Sequence, residues 1–138
     1  MRIRPCRATD RARVWQIRHG TAENRLLDPA IVQDAEVDWY QDHAIFLVSD
    51  NSEAVQGFLC ANHQTAYIWA LFVVDAQHGR GHGSALLNAA ATRLQALGHR
   101  QMFLTTGADT RAAAWYARRG FRQTGVSFSG ELVFVKPL

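Results

Sequence analysis

Cysteine is scarce in this chain. Cys6 and Cys60 are the only two among 138 residues, too few for a disulfide framework or a cysteine-built metal site, so both are expected as buried or half-buried thiols. Lysine is scarcer still: Lys136 stands alone, and the other 14 of the 15 basic residues are arginine. No apolar run reaches the roughly 18–20 residues that cross a bilayer. The stretch from Met1 to Arg7 has no secretory h-region, so a cytoplasmic protein without membrane contact is expected. Repeats, low-complexity tracts and linkers are absent, which points to one domain over residues 1–138.

What is present suits a soluble globular domain: 48% of residues are apolar and 20% charged. The formal net charge is +3, from 15 basic and 12 acidic residues. Arginine pairs with phosphate through a planar fork. Nucleic-acid binding needs a dense basic stripe, whereas here only Arg118, Arg119 and Arg122 cluster. A small polyanion is therefore the better partner.

The periodicities predict a first strand near Met1–Pro5, then a helix capped by Thr9 or Asp10 and running to about Thr21, with Val14, Trp15 and Ile17 as apolar faces. A loop from Glu23 leads to Asp28-Pro29, which opens a helical stretch toward Tyr40. Ala44–Ser49 and Ala54–Ala61 read as a hairpin around Asp50-Asn51-Ser52-Glu53. Thr65–Val74, aromatic and β-branched, reads as a long strand.

The second half changes character. Gly83–Leu97 is expected as a helix with Leu87, Ala90, Ala91, Leu94 and Leu97 on one face and Gly98 closing it. A strand Gln101–Thr106, a helix Thr110–Arg119 ended by Gly120, and strands Phe121–Phe128 and Glu131–Val135 follow. The order β-α-α-β-β-β-α-β-α-β-β gives an α/β (α+β) fold: a mixed, mostly antiparallel central sheet flanked by helices.

The most informative stretch runs from Val73 to Leu87, where a strand enters His78-Gly79-Arg80-Gly81-His82-Gly83-Ser84 and a helix follows. Glycines let a ligand approach bare backbone. The free N–H groups and positive dipole end of the helix then make an anion site suited to a pyrophosphate. Neither familiar dinucleotide or nucleotide loop fits. G-x-G-x-x-G starting at Gly79 would need glycine at Ser84, and the acidic residue expected about 20 positions later is replaced by Gln101. A Walker A loop needs a lysine that this stretch lacks.

His78-Gly79-Arg80-Gly81-His82-Gly83 resembles the coenzyme-A loop of the GNAT (Gcn5-related N-acetyltransferase) superfamily, Gln/Arg-x-x-Gly-x-Gly/Ala, with histidine in the first position. Asp109-Thr110-Arg111-Ala112 through Trp115-Tyr116 to Gly120-Phe121 resembles the family's second signature. Ala112, Trp115, Tyr116, Gly120 and Phe121 match it, and Asp109 replaces its asparagine. Ile3-Arg4 with Asp10 resembles the family's opening, so the likeness covers nearly the whole chain.

The resemblance implies direct transfer of an acetyl group from acetyl-CoA to the primary amine of a small molecule or peptide, without a metal. Leu71, Phe72 and Val73 would hold the pantetheine arm through their backbones. His78 to Ser84 would hold the pyrophosphate, with Asp109, Ala112, Trp115 and Tyr116 completing the coenzyme site. Tyr116 would be the general acid that protonates the leaving thiolate. Glu23, Asn24, Arg25 and Trp69 are candidates for the acceptor cleft. No strand glutamate stands ahead of the loop, where Trp69 and Ala70 are found, so the base is open among Glu23, Asp28, His19, His63 and Glu131. That gap keeps a second reading in view, a non-catalytic acyl-CoA-binding module. The family also implies a possible homodimer.

Overall fold

A computed structural model describes residues 1–20, 45–108 and 110–138. In chain order the elements are β1 (Arg2–Pro5), a 3₁₀ turn (Ala8–Asp10), α1 (Arg11–Gly20), β2 (Ile45–Asp50), β3 (Val55–Ala61), β4 (Ile68–Val73), a second 3₁₀ turn (Asp75–Gln77), α2 (His82–Ala96), β5 (Gln101–Thr106), α3 (Arg111–Arg118), β6 (Arg122–Val126) and β7 (Leu132–Pro137). The helix expected between Asp28 and Tyr40 lies outside the described residues.

The strands form two antiparallel sheets, β1-β2-β3-β4 and β5-β7-β6. They meet at one parallel bridge, Tyr67 with Phe103. There the Phe103 N–H donates to the Ala66 carbonyl at 3.1 Å and the Tyr67 and Phe103 rings stack at 5.1 Å. Beyond that bridge β4 and β5 share no ladder.

β2 and β3 are buried along almost their whole length, because both sheet faces are covered. On one face Leu86, Leu87, Ala90 and Leu94 of α2 pack against Leu47, Leu59, Ile68, Met102 and Leu104. On the other, Val14 and Ile17 of α1 pack against Phe46, Val48, Phe58, Cys60 and Ala70. Both thiols are sheltered as expected. Burial pushes Cys6 up to about 12 and Cys60 well above the usual thiol range, so neither is poised as a thiolate.

Several sequence-based expectations need correction. Leu97 is 58% exposed, whereas Leu86, absent from the expected face, is fully buried. The contact face spans the 86/90/94 row together with Leu87, and Leu97 falls at the C-cap, past the sheet. Gly98 does close the helix: its N–H reaches Gln95 and that of His99 reaches Leu94. Trp15 is 51% exposed and lies 4.4 Å from the His19 ring instead of in the core. The long strand from Thr65 begins only at Ile68, since the Asn62 side chain accepts from the Gln64 and Thr65 N–H groups and closes a turn.

Asp10 does not cap α1 in the simple sense. Its carboxylate takes a two-point contact from Arg4, at 2.8 and 3.0 Å, and the Arg7 N–H at 2.7 Å. Arg4 also reaches Asp50 at 3.4 Å. One ion cluster thus ties β1 to the start of α1 and the end of β2. The Arg4 hydrogen bond holds the Asp10 carboxyl below its ordinary range against an opposing burial effect. Asp10→Ala is therefore expected to cost about 2–3 kcal/mol near neutral pH, as breaking a largely buried pair does. A depressed carboxyl stabilises above its unfolded pKa and loses that contribution as pH falls through its folded pKa. The gap between wild type and variant should narrow on acidification below about pH 4. A gap in urea-unfolding free energy that stays constant from neutral to acid pH would refute this account.

Candidate functional site

The open edge of β4 comes first. The Val74 N–H donates to the Gln56 carbonyl at 2.8 Å, and Gly57 opposes Val73 in register. In an antiparallel pair, hydrogen-bonded and non-bonded positions alternate. The backbone groups of Phe72 and Ala70 therefore turn to β3, and those of Leu71 and Val73 turn away from it, toward the gap where β5 diverges. This corrects the expectation for Phe72. Its backbone belongs to the β3–β4 ladder, and its ring packs on Phe58 at 5.3 Å. Trp69 is half-buried beside the α1-side core.

At the end of β4 the chain makes the Asp75–Gln77 turn and enters the glycines. Gly79 and Gly81 have φ of +81° and +90°, a conformation that strongly favours glycine. No side chain caps α2 at Gly81. The amides of its first turn and the positive end of its dipole are left to receive an anion.

Two histidines brace this turn from opposite sides. His82 is 3% exposed and its Nδ1 lies 2.5 Å from the Oγ of buried Ser49 on β2. Burial, then the positive charges of the N-terminus and Arg80, lower its pKa, which keeps the ring neutral in this contact. His78 Nε2 lies 2.9 Å from the Val73 carbonyl. A nitrogen that donates there cannot also accept, so the 3.4 Å approach of Arg111 Nη2 is a contact between two donors. Arg80 points into solvent as an exposed residue. Both histidine side chains brace the turn from within the protein.

The second expected motif, α3, is docked onto the start of α2. Thr110 caps α3, accepting from the Ala113 N–H at 3.2 Å and donating to the Gly107 carbonyl at 2.8 Å. The Trp115 ring covers Gly83, where a Cβ would stand 3.0 Å from the indole. Glycine at 83 thus lets the indole close onto α2. Arg119 lies over the Trp115 ring at 3.7 Å and donates to Ser84 Oγ at 2.9 Å and to the Trp115 carbonyl at 3.2 Å. Ala112 packs on the main core. Tyr116 is 8% exposed, with its ring edge-on to Trp115 at 5.1 Å and to Phe121 at 5.3 Å.

The structure thus brings Gly83, Trp115 and Tyr116 together at the start of α2, with Leu71 and Ala112 packed on the same core cluster; Val73 is joined to the glycine turn through His78. Asp109, Glu23, Asn24, Arg25 and Asp28 lie outside the described residues. Among candidate bases, His19 sits with Trp15, and Glu131 accepts from Ser129 in the β6–β7 turn. His63 offers its carbonyl to His99 at 2.6 Å. Sequence reasoning missed Ser49, which hid as the last residue of an apolar run. Among the described residues there is no group of three or more histidine, cysteine or acidic side chains that would hold a metal, and no helix long and apolar enough to cross a membrane.

The acetyltransferase (GNAT) family model matches residues 12–121. The chain belongs to this family. Mycothiol acetyltransferase of Corynebacterium glutamicum (strain R) is 32% identical over 66% of the chain, and the match spans 32% of that longer protein. Among solved structures, a GCN5-related N-acetyltransferase from Rhodopseudomonas palustris aligns with a TM-score of 0.82 at 20% identity, over 99% of this chain and 95% of its own. The PaiA N-acetyltransferase of Thermoplasma acidophilum, solved in complex with coenzyme A, aligns with a TM-score of 0.78 at 13% identity, over 99% and 98%. Identities this low establish a shared fold. The GNAT fold is what the splayed sheets and the α2 turn embody.

Proposed function

We propose that this chain is an N-acetyltransferase acting from the cytoplasm as a single domain, transferring acetyl from acetyl-CoA to a primary amine of a small molecule or peptide. The observation that carries this reading is the open β4 edge running into an uncapped glycine turn, in a chain of the GNAT family. The residues present fit the coenzyme. The N–H and C=O of Leu71 and the N–H of Val73 are turned outward for an extended amide-bearing arm, and His78 holds the Val73 carbonyl. The first-turn amides of α2, from His82 to Ser84, with the backbone of Gly79, Arg80 and Gly81, suit a pyrophosphate. Asp109, Ala112 and Trp115 complete this side of the site, and Glu23, Asn24, Arg25 and Trp69 are assigned to the acceptor side.

Acetyl-CoA supplies an activated thioester carbonyl to a neutral amine. The chain's part is orientation and proton traffic. A β4 amide polarises the carbonyl, and the Tyr116 hydroxyl donates its proton to the departing sulfur. The amine must first lose a proton, to a base or an ordered water. A homodimer is consistent with this reading, with the exposed face of the C-terminal strands as its contact. Nucleic acid is not a partner: the arginines are spread over several elements.

Binding is tested by thermal unfolding. A ligand that binds only the folded state stabilises it by about 2.7 kcal/mol at 100 times its Kd. Millimolar acetyl-CoA should therefore raise the melting temperature by several degrees. Unchanged melting would overturn the cofactor assignment. Thiol release over a panel of amines then separates transfer from mere binding.

A further inference from the structure

Ser49, near the end of β2, is fully buried, and His82, the first residue of α2, is nearly so. Their Oγ and Nδ1 atoms meet in a hydrogen bond of 2.5 Å. Pairing a buried hydroxyl with a buried imidazole adds little net stability, and an apolar pair of the same shape would serve packing as well. What an apolar pair lacks is direction. The hydrogen bond fixes the orientation of the ring, and the ring belongs to the residue whose N–H opens the first turn of α2.

The place of this bond in the sheet shows what it orients. Ser49, Gly57 and Val73 are partners across β2, β3 and β4, one row running over the sheet. At one end of the row the His78 Nε2 donates to the Val73 carbonyl at 2.9 Å, and at the other His82 meets Ser49. Gly57, between them, lets α2 settle on the row: a Cβ there would stand 3.3 Å from the Cδ1 of Leu86, about one turn along α2 from His82. Gly79-Arg80-Gly81 spans the two anchors and stands clear of the protein. Arg80 is exposed, a Cβ at Gly79 would meet nothing within 4 Å, and one at Gly81 would meet only the Met1 methyl at 3.8 Å. Glycine-rich backbone has the most conformational freedom to lose when a ligand orders it. A turn fixed at both ends to one row of the sheet has lost part of that freedom beforehand, which favours binding. We propose that Ser49 and His82 are a positioning pair for the cofactor: their hydrogen bond holds the backbone of residues 82–84 with its amides in the anion-binding direction. This rests on the acetyl-CoA reading above.

The test is isothermal titration of acetyl-CoA into wild type and variants at neutral pH, with thermal melting of each protein alone. Ser49→Ala removes one hydroxyl and should weaken binding about 3–10-fold, the worth of one neutral hydrogen bond, with saturating turnover nearly unchanged. His82→Ala should lose at least as much. The double variant Ser49→Ala/His82→Ala should bind no more weakly than His82→Ala, because both changes remove the same bond. Asparagine places an amide near the position of the imidazole Nδ1. His82→Asn should therefore bind more tightly than His82→Ala, and that advantage should vanish once Ser49 is alanine. Wild-type affinity in Ser49→Ala overturns the proposal, and a lowered melting temperature beside it would assign the pair to stability alone. So do losses that add in the double variant, or an asparagine that binds no better than alanine. Ser49→Ala changes only a hydroxyl, so it decides the matter by itself if the His82 variants do not fold. Wild type that does not bind acetyl-CoA overturns the acetyl-CoA reading and this proposal with it.

Discussion

Tyr116→Phe should lower turnover by about 10²–10⁴-fold, the usual contribution of a general acid, and leave the acetyl-CoA KM nearly unchanged. The ring is 8% exposed and wedged edge-on between Trp115 and Phe121, and phenylalanine keeps both contacts. What is removed is the hydroxyl proton. Reference values of about 8.5 for a thiol and about 10 for tyrosine make the transfer uphill by roughly 2 kcal/mol, a gap that catalysis tolerates. Arg119 follows Tyr116 by about one helical turn, where its positive charge could ease this step. Its guanidinium instead bonds Ser84 and the Trp115 carbonyl, so its charge is committed to the α2–α3 junction. A fall in kcat with KM steady marks an interaction made mainly in the transition state. Near-normal turnover under single-turnover conditions would assign the proton to water or another group.

Gly81→Val should act on the other parameter. With φ at +90°, position 81 is costly for any side chain, and most costly for a β-branched one. A Cβ there meets only the Met1 terminal methyl at 3.8 Å, so the protein itself offers room and the penalty is conformational. Forcing this residue toward negative φ rotates the first amides of α2 away from their common direction. A strain of about 1–2 kcal/mol, with loss of amide alignment, corresponds to at least a roughly 10-fold weaker acetyl-CoA Kd. Saturating turnover should change much less. Gly81→Ala should produce a large part of the same loss, since alanine shares the φ restriction. Wild-type affinity in both variants would show that the turn does not hold the cofactor.

Much of the fold was legible because its signals are local. β5 falls on the expected residues, and α3 sits between its Thr110 cap and Gly120. Gly98 ends α2 where a C′ glycine should. Each of these depends on a few neighbouring residues whose preferred dihedrals or caps agree. Two of the errors arose where a competing local contact decides. Trp15 reads as apolar but lies against His19 in solvent. The Thr65 end of the β4 run yields to an Asn62 turn that outcompetes β-propensity. For the site, the glycine turn and the Tyr116 helix were visible as motifs. That Phe72 pairs inward and Leu71 outward was not, because hydrogen-bonding alternation depends on register with β3.

The sequence by itself determined the order of the described elements, the glycine turn, and the chemical type of each group brought there. Its periodicities and dihedral requirements are properties of short segments. The gap between β4 and β5 belongs to the tertiary structure alone: it exists because two separate sheets meet at a single bridge, and no segment encodes that divergence. The same holds for the Ser49–His82 and Val73–His78 contacts, and for Trp115 closing over Gly83. These groups stand 5 to 33 positions apart in the chain, and only the packing of α2 and α3 on the sheets gives them a shared position.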